Sequence, residues 1–269
     1  MANLHHAVTG MDRLEQLANS DSSVHRLHPM AKLITAIVYV VIVISFSPQN
    51  VSGLVPFLFY PAIMMSLSGT PYRPLLHRFL FALPFSLMGG ISNLVLSRGA
   101  AFYIGSFMVS QGMVSFVSIL LKTLLSVLAV LILIATTSFV EISSQLITLR
   151  MPKILCLQLI LTYRYLSVLV AEAASMFTAY SLRGPNQKGI RMKDMGSFVG
   201  QLILRSFDRA DRIYQAMKCR GFHGVYYGRK RGGFRLSDGV FMVLPALSMI
   251  FLRFFNLSLF FGKLVGRIA

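Results

Sequence analysis

Leu182-Arg183-Gly184 and Cys219-Arg220-Gly221 each close a helical stretch, and their arginines stand 37 residues apart. A guanidinium group stays charged when desolvated and forks onto a carboxylate through two parallel bonds, so it suits a buried contact with a partner. Glycine after a last helical turn stops the helix, and Pro185 reinforces the stop after Gly184. One arginine at a helix C-terminus needs no function, because it complements the helix dipole for about 0.3–1 kcal/mol. Two successive helices ending alike point instead to a paired insertion into two equivalent acceptor sites.

Other residue types offer less. No glycine-rich lysine loop is present to cradle a phosphate, so ATP is expected on another chain. No Ser-His-Asp or Cys-His arrangement has a convincing context. Glu141 and Glu172 read as salt-bridge partners for Arg150 or Arg164, with no second carboxylate for acid–base work. The chain is therefore expected to be no enzyme and to bind no cofactor. His5, His6, His25 and His28 lack fixed helical spacing and read as solvated side chains rather than a metal site. Cys156 and Cys219 have no partner at metal or redox spacing and read as free thiols. Lys122, Arg164 and Arg253 fall within apolar stretches, where a charge is costly and implies a buried partner or a cavity; Arg253 also fits snorkelling near a span end.

Positioning these groups requires a membrane frame. Hydrophobic residues make up 55% and charged residues 13% of the 269, against about 25% charged in a soluble domain. Mean hydropathy is +0.67. The class expected is all-α, a polytopic membrane protein. The net charge of +17 then means cytoplasmic loops beside anionic lipid before it means nucleic acid. The basic linker with Arg229, Lys230, Arg231 and Arg235 is read as meeting lipid headgroups rather than RNA.

Apolar runs place about five transmembrane helices, at 31–47, 51–68, 79–96, 113–137 and 240–261. Residues 1–30 are polar with no apolar signal core, so the first span is expected to act as its own insertion signal. Pro56 and Pro61 inside the second run are tolerable where neighbours satisfy the freed carbonyls. Gly89-Gly90 in the third permits close helix approach or a bend. Pro71 to Arg78 reads as a short basic loop, and 97–112 as a small polar connection.

The chain divides accordingly into a cytoplasmic N-terminal segment (1–30), four spans (31–137), a helical domain (138–238) and a last span (239–269). Of 26 Lys+Arg, 16 lie in 138–238. The positive-inside bias puts this insert and the loop with Arg73 and Arg78 in the cytoplasm, with the N-terminus inside. Within the insert, helices are expected at 138–152, 154–182 and 197–220. Residues 154–170 are apolar almost all round, leaving open a sixth span. The last insert helix carries one apolar face of Ile203, Phe207, Ala210, Tyr214 and Met217.

Together, His25-Arg26-Leu27-His28-Pro29-Met30-Ala31-Lys32-Leu33 and Ala216-Met217-Lys218-Cys219-Arg220-Gly221-Phe222 resemble the transmembrane T component of energy-coupling-factor (ECF) transporters, especially its cobalt-type CbiQ branch, over nearly the whole chain. The resemblance implies a cytoplasmic coupling domain whose Arg183 and Arg220 contact a pair of ABC-type ATPase subunits, with Gly184 and Gly221 shaping the helix ends. It implies that ATP and magnesium are bound by those partners. It further implies a separate membrane substrate-binding (S) subunit, cobalt or nickel ions as cargo, and a bacterial or archaeal cell membrane. The family often has alanine where this chain has Leu182 and Cys219, and an aspartate where it has His28.

Three rival readings remain at this stage. The same scaffold serves vitamin-binding subunits, for instance for biotin, riboflavin or folate. A self-contained secondary transporter would line its path with Lys122 and Arg164. A basic surface module would retain RNA on residues 183–238.

Overall fold

The computed structural model describes residues 22–70, 72–96, 100–104, 107–184, 189–224, 233 and 235–254, with backbone alone at 73–77, 95–96, 100–104 and 107–109. The helices are α1 (Pro29–Ile44), α2 (Phe59–Ser68), α3 (Tyr72–Leu96), α4 (Gln111–Thr136), α5 (Phe139–Thr148), α6 (Lys153–Arg183), α7 (Met192–Cys219) and α8 (Leu236–Phe254). A 3-10 helix, Ser52–Leu58, precedes α2, and a two-stranded antiparallel hairpin, β1 (Ala100–Ile104) with β2 (Phe107–Ser110), precedes α4. Apart from that hairpin the protein is all-α and polytopic. Among the described residues, α4, α6 and α8 are long and apolar enough to cross a bilayer, and Pro29–Ile44 and Ser52–Ser68 are shorter apolar helical segments.

Two compact units emerge. One contains α1 to α4 and α8; the other contains α5 to α7. In the first, Tyr39, Val43 and Phe46 pack with Leu54, Phe57, Leu125, Ala129 and Met249. Such packing selects the faces of helices that are apolar all round, leaving Phe81, Phe85 and Met88 of α3 exposed, as lipid-facing side chains are.

Several boundaries differ from those expected. The second span is a 3-10 helix through Leu58 and α-helical only from Phe59, with Pro56, which has no N–H to give, inside the 3-10 part. Its 3-10 and α segments still give a contour of about 29 Å, close to the hydrocarbon thickness. Pro61 leaves the Phe57 carbonyl without its helical donor, and the Tyr39 hydroxyl donates to it at 2.9 Å. The basic stretch read as a loop belongs to α3 from Tyr72 onward, since Pro74 in a first turn forfeits no helical bond. Within the connection read as small and polar, 100–104 and 107–110 pair as antiparallel strands.

Gly90 permits a close approach. A Cβ there would lie 2.5 Å from the Phe116 ring, and one at Gly112 would lie 2.9 Å from the Leu94 backbone. The glycines thus let α3 and α4 pack nearly backbone to backbone.

Candidate functional site

The second unit presents both arginine–glycine pairs on a helical hairpin. α6 ends at Arg183 and α7 begins at Met192. Tyr180, three residues before Arg183, donates its hydroxyl proton to Asp194 at 2.7 Å and accepts the Arg191 N–H at 3.4 Å. Farther along, Arg205 of α7 pairs with Glu172 of α6. The helices therefore run antiparallel. A cleft of about 590 Å³ between them is lined by Met176, Tyr180, Arg183, Asp194, Phe198 and Arg205, among others.

This geometry separates the two arginines. Arg183 borders the cleft beside the first turns of α7, whereas Arg220 caps its far end. From Asp194 to Arg220 the helix rises about 39 Å at 1.5 Å per residue. Leu182 is 77% exposed, and Arg183, Cys219, Arg220 and Gly221 are exposed with it.

The two endings differ in backbone. The Phe222 N–H bonds the Met217 carbonyl at 3.0 Å and the Gly221 N–H bonds Lys218 at 2.9 Å. With φ +78° at Gly221, that is a Schellman ending, which favours glycine. Gly184 has φ −134° and ψ 76°, a conformation open to other residues. Arg183 is the last residue of α6, while Arg220 follows the last residue of α7. The ends share a sequence pattern but not one geometry.

The expected apolar face of α7 is also present and uncovered: Ile203, Phe207 and Tyr214 are exposed, Phe207 at 69%. At 3.6 residues per turn it lies opposite the row Asp194, Phe198, Gln201 and Arg205 that faces α6. Glu172 pairs with Arg205 rather than with Arg150 or Arg164, and Arg164 is exposed with its guanidinium 5.8 Å from the Tyr165 ring. Neither this pairing nor Tyr180–Asp194 was foreseeable, because no spacing rule links residues across a hairpin of unknown register.

In the first unit the intramembrane cations bind helix ends. Lys122 donates to the Phe46 carbonyl and Arg253 donates to Ser45 at 3.0 Å, its guanidinium 4.3 Å from the Phe46 ring. They satisfy carbonyls that the end of α1 leaves free. His25 and His28 serve as structural groups too. His25 Nε2 bonds the Ala135 carbonyl at 3.3 Å, and His28 Nδ1 accepts the Met30 N–H at 3.3 Å as the cap of α1. Cys156 is buried and Cys219 exposed, both as free thiols. His5, His6 and the basic linker 225–232 lie outside the described residues.

Comparison with known proteins agrees with the all-α membrane frame. The chain is 26% identical over 256 residues to the energy-coupling factor transporter transmembrane protein EcfT of Streptococcus equi subsp. equi, covering 86% of this chain and 92% of that one. It is 27% identical over 218 residues to the EcfT protein of Bacillus subtilis, covering 76% and 82%. The family CbiQ, described as cobalt transport protein, matches residues 20–231. This polytopic chain belongs to the CbiQ family.

Proposed function

We propose that the chain is the T component of an ECF-type uptake transporter: a non-catalytic scaffold linking two cytoplasmic ABC-type ATPase subunits to a membrane substrate-binding subunit. The carrying observation is the placement of the exposed Arg183 and Arg220 beside opposite ends of α7, a helix about 42 Å long at 28 residues. The α6–α7 hairpin thus offers two charged plugs, one from the end of each helix, to two acceptor sites. ATP and magnesium belong to the partners. Cobalt or nickel ions are the cargo favoured by the family's description, and a vitamin-binding subunit on the same scaffold is the alternative.

The location of the insert has its own support. α4 ends and α8 begins against the same segment, residues 25–32, so the chain leaves and re-enters the membrane unit at one face. A single crossing by α6 would return it at the opposite face. This favours α6 and α7 as cytoplasmic coupling helices despite the apolar first half of α6. The binding of Lys122 to the end of α1 weighs against a charge-lined path and hence against a secondary transporter.

Replacing Arg183 and Arg220 together by alanine tests the reading. Co-purification of the ATPases and ATP-dependent cobalt uptake are expected to be lost, while membrane insertion persists. Undiminished uptake in cells lacking every ATPase partner would refute it.

A further inference from the structure

The insert departs after α4 and returns before α8, and both junctions are bonded to the short segment before and within the first turn of α1. Lys32 is 2% exposed, and its ammonium donates to the Thr136 carbonyl at 2.7 Å. His25, buried beside it, bonds the Ala135 carbonyl. The Thr136 hydroxyl bonds Ile132 at 2.8 Å. Of the terminal carbonyls of α4, which no further helical turn can satisfy, those of Ala135 and Thr136 are thus held by side chains from residues 25–32.

The returning junction is held through Asp238, which is 4% exposed. One carboxylate oxygen accepts the Arg235 N–H at 2.9 Å, the backward reach of a capping box at the start of α8. The other accepts the His28 N–H, also at 2.9 Å. One carboxylate therefore starts α8 and ties it to the start of α1.

A buried ammonium and a buried carboxylate are costly unless well bonded, and here each is spent on a chain crossing rather than on general core packing. We infer that residues 25–32 form a clasp pinning both junctions of the insert, with Lys32 and Asp238 as positioning residues that pass movement of the docked insert to the membrane helices. The inference rests on the docking reading above and adds the transmission step to it.

The test uses the complete transporter, with both ATPases and the substrate-binding subunit, reconstituted in liposomes. ATP hydrolysis and uptake are measured together for the natural chain and for Lys32→Met, Lys32→Arg and Asp238→Asn. All are expected to retain the ATPases. Uptake per ATP hydrolysed should fall about two- to thirtyfold in Lys32→Met and Asp238→Asn, the range for residues along a coupling route, and Lys32→Arg should retain most of it. A ratio unchanged in both variants overturns the clasp, as does a parallel fall of uptake and hydrolysis. If Lys32→Met is not recovered from membranes, the near-isosteric Asp238→Asn decides alone. A natural chain that recruits no ATPase overturns the docking reading, and the clasp with it.

Discussion

Gly221 turns the chain with φ +78° and has open space around it, so a methyl group there meets no neighbour and strains only the backbone. The left-handed conformation costs an L-residue about 1–2 kcal/mol. Gly221→Ala is therefore expected to fray the end of α7 and lower ATPase affinity by about five- to thirtyfold, at 1.4 kcal/mol per tenfold. Gly184→Ala, at φ −134°, should change affinity less than about twofold by the same conversion. Binding of the purified ATPases to the two variants in detergent separates these outcomes. The sequence made both arginines visible but presented their glycines as equivalent. Backbone dihedrals, which the same two letters can realise in different ways, distinguish them.

Among the elements, polar groups freed by prolines and helix ends explain most of the side-chain chemistry of the membrane unit. Tyr39 is fully buried in the core and its hydroxyl serves the Phe57 carbonyl, so Tyr39→Phe should cost about 1–3 kcal/mol, the penalty of an unsatisfied buried acceptor. Gly112→Ala sets a methyl 2.9 Å from the Leu94 backbone and should cost about 1–3 kcal/mol by forcing α3 and α4 apart. Gly90→Ala should cost less, because the Phe116 ring it meets belongs to a side chain that can turn. Thermal unfolding in detergent ranks the three. Apolar runs made the helices legible, and Gly89-Gly90 marked a close approach that the structure places at Gly90, while Gly112, which meets the Leu94 backbone, carried no such signal. The helix expected at 197–220 begins earlier, at Met192, where Tyr180 holds Asp194 in the first turn of α7. The hairpin at Ala100–Ser110 was illegible because its strands are short and carry no clear alternation.

For the whole molecule, orientation is open to direct measurement through the native thiols. Cys219 is exposed beside Arg220 and Cys156 is buried, so a membrane-impermeant maleimide reports the side on which α7 ends without any engineered cysteine. With the insert in the cytoplasm, Cys219 should label in inverted vesicles and stay unlabelled in intact cells; assembly with the ATPases should then protect it. Labelling in intact cells would reverse the topology. The pinned junctions carry a consequence of another kind. Chain ends that meet at one spot are the geometric condition for grafting one domain into another. The membrane body, whose core contains α1, α4 and α8, is then a host frame, and the segment between Thr136 and Arg235 is a cassette that evolution or an engineer can exchange while the host keeps its fold.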